Sequence, residues 1–74
     1  MLSFEWNEDL EQLEIHTDST GLLELKKHLD NLIYSDDYEH VHLMTENWGG
    51  TELTNNQQNN ETKLIHHVKI FKWK

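Results

Sequence analysis

Seventy-four residues provide for a single domain, 1–74, and leave no room for a second. The chain has no Cys and no Arg, with 14 acids against 6 Lys and a net charge of −8. This excludes a disulfide scaffold, a thiolate zinc finger and a Cys nucleophile, and it argues against nucleic acid as a partner, because phosphate repels such a charge. No apolar run is long enough to span a membrane, and the acidic N-terminus lacks the basic region of a secretory signal, so the expected location is the cytoplasm.

Mean hydropathy is low, −0.84, yet none of the 26 apolar residues is Ala, and they recur at regular spacing, as in a globular chain. Leu2, Phe4 and Trp6 alternate with Ser3 and Glu5, the period of a strand. Asn7-Glu8-Asp9 is turn chemistry. Leu13 and Ile15 then alternate with Glu14 and His16, so residues 2–17 read as a hairpin. Asp18 or Ser19 can cap a helix. Leu22, Leu25, Leu29, Leu32 and Ile33 fall on one face of it, opposite Glu24, Lys27 and Asn31, which predicts a helix over about 20–34.

Ser35-Asp36-Asp37 breaks that helix, and Val41 and Leu43 alternate with His40 and His42 in a third strand. Residues 46–62 show no periodicity. Trp48-Gly49-Gly50 is a turn, and Asn55 to Asn60 is an amide-only tract that buries nothing apolar, so the loop at about 54–62 is expected to be mobile. Lys63 to Trp73 reads as one long strand with Leu64, His66, Val68 and Ile70 on one face and Ile65, His67, Lys69, Phe71 and Trp73 on the other.

The order β-β-α-β-β predicts an α+β two-layer sandwich: a four-stranded, mainly antiparallel sheet with one helix on one face. The helix stripe is expected to meet Leu13, Ile15, Val41, Leu43 and Val68. The second face, bearing Trp6, Phe71 or Trp73, is left to solvent, to the 46–62 loop or to another chain, including a second copy.

Charge is uneven: residues 1–62 hold all 14 acids and 2 Lys, residues 63–74 hold 4 Lys. That suggests a partner, or internal pairing of the last segment, or an edge strand guarded by Lys. Glu5, Glu8, Asp9, Glu11, Glu14 and Asp18 form either a solvated face or a surface for a basic partner, with Glu8, Asp9 and Glu11 the partner-binding candidates. His40, His42 and His67 would converge if their strands pair. Cross-strand polar pairing is the favoured reading, so no metal or other cofactor is expected, and zinc ligation is the weaker alternative. His42 or His67 with Glu39, Glu46 or Glu52 could serve acid–base catalysis, but no nucleophile, phosphate or cofactor motif accompanies them, so the chain does not read as an enzyme. A Trp beside Gly-Gly either tucks its ring into the core, the favoured reading for Trp48, or stands out as a binding anchor.

The run His40-Val41-His42-Leu43-Met44-Thr45, then Trp48-Gly49-Gly50 with Glu52-Leu53, then Leu64-Ile65, His67-Val68-Lys69 and Trp73, resembles the immunity protein 32 family of bacterial polymorphic toxin systems. Glu14-Ile15-His16 followed by Gly21-Leu22 and a Leu-rich helix is similar too, so the resemblance covers residues 10–74. It implies a small cytosolic antitoxin that binds and blocks a cognate toxin without catalysis. The positions it suggests as functional are His40, His42, Trp48, Gly49, Gly50 and His67. A homo-oligomeric structural protein, dimeric through the uncovered sheet face, and a His-based metal-binding protein are the alternatives.

Overall fold

In the computed structural model, which describes residues 1–37 and 39–73, the chain runs β1 (Leu2–Asn7), β2 (Gln12–Thr17), α1 (Ser19–Tyr34), β3 (His40–Met44), a 3-10 turn (Glu46–Trp48), β4 (Lys63–Ile65) and β5 (His67–Phe71). The expected α+β architecture, with one helix and antiparallel pairing, is present. In the hairpin, Phe4 faces Ile15 and Trp6 faces Leu13. Its turn is closed by Asn7 Oδ1, which accepts from the Leu10 N–H at 3.1 Å, and by the left-handed Glu11 (φ 50°).

The single four-stranded sheet is not formed. β1 pairs with β2 and β4 in a three-stranded sheet, order β2-β1-β4, while β3 and β5 form a second, two-stranded sheet. The break falls at His66, so the expected long strand is two strands, and Trp73 lies beyond the second. There the Thr45 N–H donates to the His66 carbonyl at 3.0 Å, and the Thr45 hydroxyl meets His66 Nδ1 at 2.8 Å. The kink also breaks the alternation of faces. Ile65, Val68 and Ile70 all pack on the core, which a regular strand forbids, because positions 65 and 68 differ by an odd number.

Backbone hydrogen bonds close a circuit around that core. β1 bonds β4, the chain continues into β5, and β5 bonds β3. The Leu53 N–H then donates to Met44 O at 3.1 Å, and the Thr54 N–H donates back to Leu2 O in β1 at 2.9 Å. Inside lie Leu2, Phe4, Leu43 and Leu53, with Leu25, Ile65, Val68 and Ile70 against them. Leu53 is a core residue that periodicity missed, because it stands alone among polar neighbours.

Helix α1 starts one residue after β2. Asp18 caps it, accepting from the Gly21 N–H at 2.8 Å and pairing with the N-terminal ammonium at 2.7 Å. Those two partners, the ammonium first, hold the Asp18 carboxyl below its ordinary value. The helix is turned about 60° from the expected orientation, at 100° per residue. Its inner row is Gly21, Leu25, His28 and Leu32, whereas Leu22, Leu29 and Ile33 are exposed. Gly21 sets this rotation: a Cβ there would overlap the Met1 carbonyl and the Thr17 hydroxyl, so the residue without a side chain must face the strand ends. Leu13 and Ile15, expected beneath the helix, are likewise about half exposed.

The 54–62 tract buries nothing apolar, but it makes polar contacts with the β1 sheet. Glu5 points to the sheet face opposite Phe4 and is fully buried. Its carboxylate accepts from Ser3 Oγ (2.6 Å), the Gln58 N–H (2.9 Å), the Asn59 N–H (2.9 Å) and Thr62 Oγ1 (2.7 Å). Asn59 Nδ2 also donates to Glu14 at 3.1 Å. The loop is thus pinned across the second face of the β1 sheet by an anion.

Burial alone would raise the Glu5 carboxyl, but the hydrogen bonds from Ser3, Gln58, Thr62 and Asn59 outweigh it and lower the value from 4.5 to about 2. The folded value lies below the unfolded one, so this contribution is full above the unfolded value and is lost as pH falls through the window between them. At about 1.4 kcal/mol per pH unit, the loss is on the order of 3 kcal/mol. Urea unfolding midpoints should therefore hold down to about pH 5 and fall steeply below it, with a shallower fall in Glu5→Gln. Equal slopes in the two proteins would remove Glu5 as the cause.

Candidate functional site

The acidic cluster of the sequence divides into two groups. Glu5 holds the loop, Asp18 caps α1, and Glu14 is engaged by Asn59 and by His16 Nε2 at 2.8 Å, which, in that order, lower its carboxyl. That leaves Glu8, Asp9 and Glu11, all exposed, at the tip of the β1–β2 hairpin. Beside them the hairpin shows an apolar face. Trp6 and Leu13 are cross-strand partners, Ile15 lies two residues on, and Leu10 is in the turn; they are 38%, 51%, 49% and 66% exposed.

The histidines do meet. In the β3–β5 register His40 lies opposite Phe71, His42 opposite Lys69 and Met44 opposite His67, on the outer side of that sheet. His42 Nδ1 and His67 Nε2 share a hydrogen bond of 2.8 Å, and their rings stack at 5.0 Å. The His40 ring meets that of His42 edge-on at 4.8 Å. Loss of surrounding water, then the neighbouring His40, Lys69 and His67, lower the His42 value, which favours the neutral imidazole that such a pair requires. Among the described residues, no group of three or more His, Asp or Glu side chains is arranged to hold a metal ion. Glu52, one of the acid–base candidates, accepts from the Met44 and Thr51 N–H groups and so supports backbone.

Trp48 is not in the core. It is 58% exposed and stacks on His66 at 5.6 Å with rings nearly parallel. The two glycines behind it shape the turn: Gly49 is left-handed (φ 87°), and a Cβ on Gly50 would overlap Met44. The Gly50 N–H donates to Thr45 O at 2.9 Å, so the turn that presents Trp48 is fixed to the His66 kink.

The basic last segment does part of its work internally. Lys72 Nζ donates to Ser35 O (3.2 Å) and Ile33 O (3.4 Å), where the helix C-terminus gathers negative dipole. Lys69 sits 4.8 Å from the Phe71 ring centroid. Lys74 lies outside the described residues. The three aromatics expected on one uncovered face are divided: Trp6 shares the face of Phe4, whereas Phe71 is on the outer side of β5 with the histidines, stacked on Trp73 at 6.4 Å.

No α-helix among the described residues is long and apolar enough to cross a membrane. Comparison with curated proteins and with solved structures finds no match. The family model of Immunity protein 32 matches residues 12–68, a span that takes in β2, α1, the paired histidines and the Trp48 turn. On that match over most of its length, the chain belongs to the Immunity protein 32 family.

Proposed function

We propose that the protein is a cytoplasmic, non-catalytic antitoxin that binds a cognate bacterial toxin domain and neutralises it. Family membership supports an immunity role, and one observation supports direct binding. Thirteen large apolar side chains stand exposed among the described residues against five that are buried, so the chain keeps in water apolar surface that a partner would cover. Candidate contacts are the acids Glu8, Asp9 and Glu11, the His40, His42 and His67 face, and Trp48 on its Gly49-Gly50 turn.

An acidic antitoxin suits a toxin that is basic because it engages phosphate. Where a toxin domain is encoded beside this chain's gene, co-expression with it should restore growth and yield a stoichiometric complex. Added salt should slow its association, since screening shortens the Debye length to ~8 Å at physiological ionic strength. A toxin that kills equally with and without this chain, alongside a stable homodimer of the chain alone, would replace the antitoxin reading with the oligomeric one.

A further inference from the structure

We infer that the β1–β2 hairpin is the surface that meets the toxin, and that its occupant is a basic protein surface whose apolar side chains seat on Trp6, Leu13 and Ile15. The inference rests on the antitoxin reading and deepens it by naming the face. Three apolar patches compete for the role. On the helix, Leu22, Leu29 and Ile33 are exposed, but the charge beside them is balanced by the Lys26–Asp30 pair at 2.8 Å. The Phe71–Trp73 patch neighbours Lys69 and Lys72 against a single acid, Glu39, a net cationic setting that disfavours a basic partner. Among the described residues, the hairpin alone sets three exposed acids, Glu8, Asp9 and Glu11, beside an apolar face, and their side chains hold no other group in place.

Two further features favour it. β2 is an edge strand, six residues long, without Lys, Pro or a bulge, the devices that usually keep an edge from pairing. Its second face is already braced by the Glu5-held loop, so the apolar face is presented on a rigid support and loses little freedom on binding. Charge decides between a toxin and a second copy of this chain: two copies would bring together hairpins of the same sign, each on a chain of net −8.

The test measures binding kinetics of a toxin domain identified by its gene lying beside this one. Leu13→Thr with Ile15→Thr, conservative for a strand at half-exposed positions, should raise the dissociation rate at least ~10-fold. Glu8→Gln, Asp9→Asn and Glu11→Gln together should lower the association rate roughly 10-fold and flatten its salt dependence. Leu23→Gln, on the exposed side of α1, should leave both rates within about 2-fold. Amide exchange on the wild-type complex should show protection in β2, a readout that needs no variant. Wild-type binding that all hairpin variants retain, with β2 unprotected, overturns this inference and leaves the antitoxin reading standing. Failure of the wild type to bind the toxin removes both. A homodimer abolished by the Leu13 and Ile15 changes would make the face a self-interface and also overturn the inference.

Discussion

Glu5→Ala should destabilise the protein by roughly 3–5 kcal/mol, a large share of the ~5–15 kcal/mol typical of a folded domain. The carboxylate is fully buried and takes four hydrogen bonds, two of them from the backbone of the amide-rich loop. Alanine leaves those donors without an acceptor in a site from which water is excluded, and an unmet buried donor costs about 1–3 kcal/mol. Glu5→Gln keeps the volume and one acceptor oxygen but turns an NH2 group toward donors, so it should fall between Ala and wild type. Urea midpoints measure the loss, and faster amide exchange at Gln58 and Asn59 locates it. Deleting Asn55 to Asn60 removes the same backbone donors and should be similarly damaging, although loop length alone enters closure entropy only logarithmically. A Glu5→Ala protein within about 0.5 kcal/mol of wild type, the range of ordinary surface changes, would show that the loop is held by something else.

Leu43→Ala should cost ~2–5 kcal/mol, and Leu29→Ala less than about 1. Leu43 is 0% exposed and sits with Leu2, Phe4 and Leu53 inside the closed circuit, while Leu29 is 38% exposed on the outer flank of the helix. The pair is informative because helical periodicity ranks Leu29 as a core residue. If the two substitutions shift the unfolding midpoint equally, the helix is rotated back onto its apolar stripe in solution. A large Leu43 effect beside a small Leu29 effect fixes the rotation imposed by Gly21.

Elements whose side chains repeat with a regular period were legible in the sequence: the hairpin, the helix bounds, β3, and the meeting of His42 with His67. The rest depended on contacts that carry no local period. An apolar stripe reports what a helix is able to bury, and a close approach at Gly21 decided what it did bury. The half-apolar character of both faces over 63–73 was the available sign of the His66 kink, since a strand that changes faces leaves apolar residues on each. The amide tract was read through apolar burial alone. Its anchor, a carboxylate on the far face of β1, becomes visible only once the fold brings Glu5 to residues 58–62. Trp48 gave no periodic signal, and its ring found a partner in a histidine that local sequence does not place beside it.

The closed circuit bears on when, during synthesis, the chain can fold. Synthesis proceeds from the N-terminus at ~5–20 residues per second, so β1 emerges early and can pair with β2 at once. Its other neighbour, β4, meets it through the pairing of Phe4 with Ile65, and the donors to Glu5 arrive only a few residues sooner. Until then the nascent hairpin carries a buried-type carboxylate with no loop to hold and an apolar face with no core behind it. The native state is therefore reached only after residue 65 has been made, and a ribosome stalled before that point carries a hairpin without the strand and the loop that complete its sheet.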